Sequence, residues 1–590
     1  MSRRDHFREE LQRLNELREQ AAAEHWDLAR FLKPESTDPD VERLFEGFAF
    51  LTGRVQERLD DEFPELLHTL LGLWWPHYLR PLPAMAVLQF EPVANAYQET
   101  QTVRTGVQVQ SRPVNGHRCR FRTTSPLALH PWSLREVRVE PRAGREQVTL
   151  DFSLWPGARF DESGDGLVLY LGAPLPEDLG DACDLYWLLR EHVEAGELTC
   201  LDEQGEVVAR CPLGADPLLS TGQAAAVSPP AGAEEPAAGY LALQEAFCFP
   251  AGRLFLRLRN WAKAADFLNR EGQPRVRLQF SLARPYAGGA AAHTMVHINC
   301  VSITNLYEAS ARPIVVDGER FDYPLELKQA GESGVRELYE VDAAQALVEG
   351  EAEPRRLVRF DSFDALASGA NHDWYQLRFT RVGGMQPGSA RLQFGFEDDP
   401  LGKPRTVSVD VTCSDGDLCE AIGRGEINVA TSTSPEFATF RNLTRPTRYL
   451  RPHLDDRLLW DLVASMASSF DTLLDTKALR SVLKRFDFLG RVDAREGRRV
   501  DTLLSGLEVT RTGPANRLFK GHLVRGHATE ITLSSRAFES TGAMYVFGCA
   551  LERFMAAFAT VNMFHELTVV DRDSREEFRW TPTTGPRSSF

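Results

Sequence analysis

A change of sequence period at Pro83 constrains the fold of this chain most. Before Pro83, apolar residues recur every three or four positions, which is typical of amphipathic helices. From Ala84 to residue 440, short stretches alternate between apolar and polar residues, which is typical of half-buried strands. Helical periodicity returns in the C-terminal part, where a helix fits Phe538 to Phe558 and strands fit Leu523 to Leu533 and Leu567 to Val570. The sequence therefore predicts a β-rich, multidomain α+β protein with a helical segment at its N-terminus.

The length of the chain supports several domains, because 590 residues far exceed the size at which one core stops growing. We predict an N-terminal helical segment at 1–83, a β-rich domain at 84–310, a second β-rich domain at 311–440 and an α+β C-terminal domain at 441–590. The middle domains are expected to be β-sandwich-like. Residues 223–239 are rich in Ala, Pro, Gly and Glu, which predicts a flexible surface loop.

The first predicted helix carries a narrow apolar stripe at nearly heptad spacing. A second helix, starting at Asp38, already has a broad stripe of its own to bury, formed by Val41, Leu44, Phe45, Phe48, Leu51, Val55 and Leu59. Since a lone helix gains little from an exposed stripe, we expect the first one to bind a partner. The residues predicted to do so are Phe7, Leu11, Leu14, Leu28 and Leu32.

Composition narrows the range of partners and cellular locations that the chain can have. A formal net charge of -17 opposes attraction to phosphate backbones, so nucleic acid is not an expected partner. Nine scattered cysteines suit a reducing compartment. The N-terminus lacks an apolar signal segment, and the strongest apolar stretches are too short or are interrupted by charges. We expect a cytoplasmic protein with no membrane span of its own.

A search for reactive groups points away from an enzyme. The sequence contains no Walker loop, nucleophile elbow, zincin helix or dinucleotide fingerprint, so we predict no catalytic and no cofactor-binding residues. His293, His297 and Cys300 could supply zinc ligands on a helix. The alternation from Val296 onward favours a strand, which would separate the two histidines by about 13 Å, and we predict no metal site.

Two cysteines flank a turn-like segment. Cys413 and Cys419 enclose Ser-Asp-Gly-Asp-Leu, a spacing that matches no common zinc or redox pattern. We interpret both as small core residues or as bystanders.

Several blocks of sequence together resemble one known family. The N-terminal blocks are Asp38–Leu51, Leu59–Glu65 and Trp75–Pro83, and further blocks are Ser111–Arg122, Gln244–Pro250, Ile298–Glu308, Thr444–Thr447 and Val561–Phe564. They are similar to the TssF family of type VI secretion systems, also called VasA or ImpG, over essentially the whole chain. One stretch departs from the family, which usually has Cys-Thr-Asn-Arg-Asp-Leu-Pro where this chain has Cys413–Cys419.

The resemblance implies a structural role with a fold like that of a phage baseplate wedge. It implies that two TssF copies join one TssG, with TssK, TssE and the VgrG hub as neighbours, and that the baseplate docks to the inner-membrane complex through TssK. The apolar stripe would then face the second TssF copy and TssG. The equivalent wedge role in a phage tail or other contractile injection particle stays open, as does a β-sandwich carbohydrate-active enzyme, although the sequence offers no pair of catalytic carboxylates.

Overall fold

The structure is a computed structural model, and it describes residues 43, 47–51, 80–142, 145–164, 166–173, 175, 178–221, 236–288, 290–328, 336–348, 353–360, 373–380, 389–396, 405–452, 475–519, 521–557 and 563–584. Residues 47–51 are helical, as the second predicted helix requires. The stripe residues Phe7, Leu11, Leu14, Leu28 and Leu32 lie outside the described ranges.

Strands dominate the chain up to residue 304, with helices between some of them. The first strands are Met85–Pro92 (β1), Gln101–Val103 (β2), Gln108–Ser111 (β3), Arg120–Thr123 (β4), Leu127–Leu129 (β5), Trp132–Arg142 (β6), Arg145–Leu154 (β7) and Val168–Leu171 (β8). The following elements are Leu179–Glu191 (α1), Val193–Leu201 (β9), Val207–Gly214 (β10), Leu218–Ser220 (β11), Pro236–Cys248 (α2), Phe255–Leu258 (β12), Trp261–Glu271 (α3), Arg275–Leu282 (β13), Val296–Ile298 (β14) and Cys300–Thr304 (β15).

The second half continues with strands and ends in a mixed region. Its strands up to residue 442 are Tyr307–Ser310 (β16), Ile314–Val316 (β17), Tyr323–Pro324 (β18), Glu337–Val348 (β19), Arg355–Arg359 (β20), Trp374–Thr380 (β21), Ser389–Gly395 (β22), Arg405–Ser414 (β23), Ile427–Ala430 (β24) and Ala438–Asn442 (β25). The mixed region contains Thr476–Arg485 (α4), Leu489–Val492 (α5), Ala494–Ser505 (α6), Glu508–Phe519 (β26), His522–Leu533 (β27), Thr541–Ala556 (α7), Met563–Asp571 (β28), Glu577–Arg579 (β29) and Thr583–Thr584 (β30). Short 3-10 helices cover Pro250–Arg253, Ala290–Thr294, Gly416–Ala421 and Ser535–Ala537.

Sheet 1 gathers strands from three distant parts of the chain. Its six strands lie in the order β24-β3-β4-β15-β1-β25. The strand β1 is antiparallel to both neighbours, with Met85 opposite Thr304 on β15 and Leu88 opposite Asn442 on β25. The chain thus leaves sheet 1 after β4 and returns to it twice. These pairings cross the predicted boundary between residues 310 and 311, because β24 comes from the predicted second β domain and β25 extends across its predicted end at residue 440.

The other sheets are more local in sequence. Sheet 2 has the order β10-β9-β13-β7-β6, and sheet 3 has the order β11-β12-β8-β14. Sheet 4 has eight strands in the order β16-β23-β19-β20-β21-β22-β18, with β17 also paired to β23. Sheet 5 has the order β26-β27-β28-β29, with β30 paired to β28. The predicted β-rich α+β class is confirmed.

The C-terminal elements follow the periodicity of the sequence closely. Helix α7 lies within the helix predicted from Phe538 to Phe558, and β27 matches the strand predicted from Leu523 to Leu533. Strand β28 contains the predicted strand Leu567–Val570 and runs parallel to β27. Helix α7 connects these two parallel strands, which is the usual way to cross between parallel neighbours.

One hydrophobic core joins the middle of the chain to its C-terminal part. It holds side chains of sheets 2 and 3, of α1 to α3, and of α4, α6, α7, β27 and β28. Two glycines let the helices approach closely: a Cβ atom at Gly542 of α7 would clash with the carbonyl oxygen of Cys183 in α1, and one at Gly239 of α2 would lie 2.8 Å from the carbonyl oxygen of Arg553. Sheets 1 and 4 each have a separate core.

Helix α2 corrects one prediction about the middle of the chain, and helix α1 is an element that the sequence does not predict. Helix α1 buries residues on all sides, so its sequence shows no apolar stripe. Helix α2 begins at Pro236, so residues 236–239 of the predicted loop 223–239 are helical, and Gly239 is buried. A proline in the first turn and an Ala-rich stretch favour this helix. Residues 223–235 lie outside the described part of the chain.

None of the helices in the described ranges is long and apolar enough to cross a lipid bilayer.

Candidate functional site

Asp415 is the centre of a buried polar cluster where sheet 1 meets sheet 4. It directly follows β23 and is 1% exposed. Tyr307 donates its hydroxyl to Oδ1 at 2.8 Å, and Nε2 of His117 lies 3.0 Å from the same oxygen. The backbone N–H of Arg120 and the side-chain amide of Asn305 each donate to Oδ2 at 2.9 Å. Both oxygens of the carboxylate therefore have two partners.

Asn305 makes further hydrogen bonds to the segments that contain Arg120 and Asp415. Its Oδ1 accepts hydrogen bonds from the Ser414 hydroxyl at 2.6 Å and from the backbone N–H of Asp415 at 2.7 Å. Its amide also donates to the carbonyl oxygen of Arg120 at 2.7 Å. Gly416, at φ +59°, permits the turn that follows. Asn305 lies between β15 of sheet 1 and β16 of sheet 4, so these bonds fix the point where the chain passes between the two sheets.

Burial and the carboxylate of Asp415 keep the hydroxyl of Tyr307 protonated, although two arginines lie beside its ring. The guanidinium of Arg120 lies 5.2 Å from the ring centroid, and that of Arg336 lies 5.8 Å from it. Burial, and then the neighbouring carboxylate of Asp415, raise the pKa of the Tyr307 hydroxyl well above its ordinary value. Tyr307 is therefore a permanent donor to Asp415. We call His117, Asn305, Tyr307 and Asp415 together the polar joint.

Ion pairs surround the polar joint. Arg451, just beyond sheet 1, binds Glu337 at the start of β19 and also Asp417, which lies 2.9 Å away. Arg80, just before β1, forms an ion pair with Glu340 of β19. Each of these arginines lies near sheet 1, and both Glu337 and Glu340 belong to sheet 4. The contacts therefore reinforce the same junction from two positions.

Cys119, Asp415 and Cys419 bring possible metal ligands together, with their ligand atoms all within 4.8 Å of one another. Paired thiolates with a carboxylate would suit zinc. However, four hydrogen bonds already use both oxygens of Asp415. Burial, followed by a hydrogen bond with Cys119, raises the pKa of Cys419 well above its ordinary value. The arrangement fits two packed thiols beside a saturated carboxylate, and we assign no metal to it.

The second possible metal set does not come together. Cys300 is fully buried on β15 and donates its thiol to the carbonyl oxygen of Ile298 at 3.3 Å. His297 lies on β14, where burial and then Arg441 lower its pKa to about 4. His293 is exposed in the 3-10 helix Ala290–Thr294. Within the described ranges these three residues do not form a cluster of ligand atoms. The predicted strand here is confirmed, with a break at Asn299.

The described piece of the second predicted helix has an exposed apolar side. Phe48, Phe50 and Leu51 are 58%, 48% and 62% exposed, whereas Ala49 between them is fully buried. Residues Phe48 and Leu51 belong to the stripe that the sequence predicts for this helix. The helix therefore presents part of its stripe outward in the isolated chain.

Sequence reasoning missed the polar joint. It identified the segment Cys413–Cys419 only as a turn between core cysteines. The family resemblance does indicate the segments involved. Two of its matching blocks, 111–122 and 298–308, and the segment that departs from it, 413–419, contain every residue of the joint. These blocks meet only in the folded chain.

Sheets fixed to one another through a shared core and a polar joint define a β-rich multidomain protein. The sequence comparison is more specific, because residues 2–587 match the family described as "Type VI secretion system, TssF". The chain belongs to this TssF family.

Individual relatives agree with this assignment. The type VI secretion system component TssF1 of Pseudomonas aeruginosa is 25% identical over 657 aligned positions, which cover 99% of each chain. A chain of the TssK-TssF-TssG baseplate subcomplex, solved by cryo-electron microscopy, superposes with a TM-score of 0.74 at 26% identity, covering 93% of this chain and 99% of that one. A chain of a type VI baseplate complex has a TM-score of 0.59 at 23% identity over the full length of both chains, and it shares the fold.

Proposed function

We propose that this chain is a non-enzymatic structural subunit of the cytoplasmic baseplate of a type VI secretion system. The observation that carries the proposal is its likeness, over 93% of its length, to a chain of the TssK-TssF-TssG baseplate subcomplex. The match to the TssF family over residues 2–587 supports the same role. Its work would be to hold partners in fixed positions rather than to turn over a substrate.

TssG and TssK are the proposed direct partners, because that solved subcomplex contains both. The family resemblance extends the proposal to a wedge with two copies of this chain per TssG, with TssE and the VgrG hub as further neighbours. Recruitment to the inner-membrane complex would then occur through TssK. The chain would need no membrane-spanning element of its own for this role.

The internal junctions support a scaffold role. The main core makes the middle and C-terminal parts one packed unit, and the polar joint orients sheet 4 against sheet 1. A scaffold that passes force between partners needs such fixed angles, since packed cores deform little. The only described group of possible metal ligands is explained by the joint itself.

Purification of the tagged full-length chain from its native cell tests this proposal. We expect TssG and TssK to co-purify, with two copies of this chain for each TssG measured by quantitative mass spectrometry. Recovery of the chain alone, or with capsid and tail proteins of a phage, would contradict the secretion role. A ratio of one to one would contradict only the proposed wedge composition.

The predicted apolar stripe of the first helix is the proposed contact with TssG and the second copy. Changing Leu11 and Leu14 together to Asp should abolish co-elution with TssG, because burying each leucine is worth about 1.5 to 3 kcal/mol. Changing Gln12 and Gln20 to Asp adds the same charge on the opposite side of the predicted helix and should leave co-elution unchanged. Thermal unfolding of each purified variant shows whether the chain itself remains folded.

Two results would remove the stripe from the interface. The first is unchanged co-elution of the Leu11→Asp, Leu14→Asp variant. The second is a lowered melting temperature of that variant in isolation, because the stripe would then belong to the core of its own chain.

A further inference from the structure

A cavity of about 390 Å³ lies where the middle of the chain meets the C-terminal part. Tyr545, Cys549 and Arg553 line it from one face of α7, since they follow at intervals of four residues. Helix α1 supplies Tyr186, and the 3-10 helix Pro250–Arg253 supplies Arg253. The volume is within the range of small-molecule sites.

Two guanidinium groups face this cavity, and few negative charges lie close enough to neutralise them. Arg253 is 6% exposed, donates to the carbonyl oxygen of Ala242 at 3.2 Å, and has a long ion pair of 3.8 Å with Glu245. Burial, and then the charge of Arg553, lower the pKa of Arg253 below its ordinary value. In the described part of the chain no carboxylate forms an ion pair with Arg553. Two like charges thus converge in a partly desolvated space, which is costly unless an anion joins them.

Three acids line the cavity, Glu191, Asp216 and Glu552, and the first two have partners outside the two arginines. Glu191 accepts the hydroxyl of Tyr545 at 2.6 Å and lies 3.7 Å from Arg190. Asp216 pairs with Arg190 at 2.9 Å and with Arg259 at 2.8 Å. Neither is among the described partners of Arg253 or Arg553.

A hydroxyl donor completes the arrangement. Tyr186 donates to the Ser220 oxygen at 2.6 Å, so the hydrogen of the Ser220 hydroxyl can be directed to a third group. Ser220 also lines the cavity. The cavity therefore offers two guanidinium groups and a neutral hydroxyl donor. An anion with two negative charges would balance the two arginines.

We propose that this cavity binds a small phosphate-bearing solute, with its phosphate held by Arg253, Arg553 and Ser220. A phosphate supplies the charge and the several acceptor oxygens that such donors need. This site is independent of the proposed baseplate role, because it lies inside one chain and needs no partner.

Titration of the purified full-length chain with inorganic phosphate tests the proposal. Isothermal calorimetry at constant ionic strength should show saturable binding with one site per chain. Arg553→Gln should weaken that binding by about 10- to 100-fold, since a hydrogen bond to a charged group is lost. Arg553 is only partly buried, so this variant should fold, and its unfolding curve verifies that.

The matched control is Arg579→Gln. Arg579 also lines the cavity but is bound to Glu577 at 2.6 Å, and its side chain is 72% exposed, so phosphate binding should change less than about threefold. A titration with sodium acetate at the same ionic strength tests whether a carboxylate binds as tightly as phosphate. No saturable phosphate binding, equal binding by wild type and Arg553→Gln, or acetate binding as tight as phosphate binding would each overturn the proposal.

Discussion

Two junctions hold the described part of this TssF chain together, and they are built by opposite means. The apolar junction packs α7 against α1 and α2, with glycines at the close approaches and aromatic pairs such as Phe247 and Phe547, whose ring centroids are 5.8 Å apart. The polar joint connects sheets 1 and 4 through hydrogen bonds to one buried carboxylate, Asp415. The first joins cores into one, whereas the second links two separate cores.

The two junctions therefore have different effects: the apolar one mainly stabilises the fold, and the polar one mainly fixes the orientation of its sheets. Apolar burial is non-directional, so the apolar junction stabilises the association of its parts without specifying every angle. A buried hydrogen-bonded carboxylate tolerates few arrangements, because any displacement leaves donors unpaired in a medium of low dielectric constant. We therefore expect the polar joint to set the angle of sheet 4, and its loss to be costly through the donors that it leaves behind.

Removing the carboxylate gives the largest expected effect. Asp415→Ala leaves four donors without their acceptor, and at about 1 to 3 kcal/mol for each unpaired buried group the variant should lose about 4 kcal/mol or more. Urea unfolding followed by tryptophan fluorescence measures this loss. The control is Asp415→Asn, which keeps the shape and one acceptor oxygen and should lose about half as much. Equal stability of wild type and Asp415→Ala would show that the joint is not held by Asp415.

Overpacking the apolar junction gives the next largest effect. Gly542→Ala places a methyl group against the backbone of Cys183, and we expect a loss of about 2 to 3 kcal/mol, although alanine improves helix propensity by about 1 kcal/mol. Gly513 on β26 has open space around its Cα, so Gly513→Ala is the matched control and should change stability by less than about 0.5 kcal/mol. A neutral Gly542→Ala would mean that α1 and α7 can separate freely.

The two junctions also differ in how far the sequence predicts them. Helix α7 and strands β27 and β28 follow from local periodicity, because each has one buried and one less buried side. Helix α1 escapes the same reasoning, since it is buried on all sides. Its glycine-mediated crossing with α7 depends on residues 183 and 542, which only the folded chain brings together.

The polar joint lies beyond local sequence reasoning for a related reason. His117 and Asp415 are 298 positions apart, and neither has an informative neighbour pattern. The resemblance marks the blocks that form the joint, but it also contains the departure at Cys413–Cys419, where this chain has Asp415 in place of the usual asparagine. The β-rich class was predictable from period, whereas the contacts that orient its sheets were not.

Acid should destabilise the fold through two buried histidines, which lie outside both junctions. Burial lowers the pKa of His130 to about 4 and that of His565 to about 4, below the ordinary value of about 6.5. Between pH 6.5 and 4 the unfolded chain therefore binds protons that the folded chain does not, so stability falls as the pH falls. Each histidine should contribute up to about 1.4 kcal/mol of loss per pH unit, measured by urea unfolding across that window.

A variant isolates this contribution from that of the carboxylates. His130→Gln keeps a polar group near the Thr100 hydroxyl, which lies 3.1 Å from Nδ1 of His130, but it cannot titrate. The pH dependence of its unfolding free energy should be shallower than that of wild type in the same window. An unchanged slope would show that His130 is not buried as a neutral ring.

The smallest expected loss of stability comes from the edge of the polar joint rather than from its centre. Arg451 binds Glu337 and Asp417 beside the joint, but its side chain is 37% exposed, so solvent and salt screen much of the attraction. Arg451→Gln should therefore cost about 0.5 to 1 kcal/mol, and the difference from wild type should shrink at high salt. The more exposed comparison is Arg312→Gln, which removes a surface pair with Glu326 whose two side chains are 61% and 59% exposed, and it should cost less still. Urea unfolding of both variants at low and high salt provides the measurement. A loss at Arg451 as large as that of Asp415→Ala, and independent of salt, would mean that the ion pairs rather than the buried carboxylate hold sheet 4 in place.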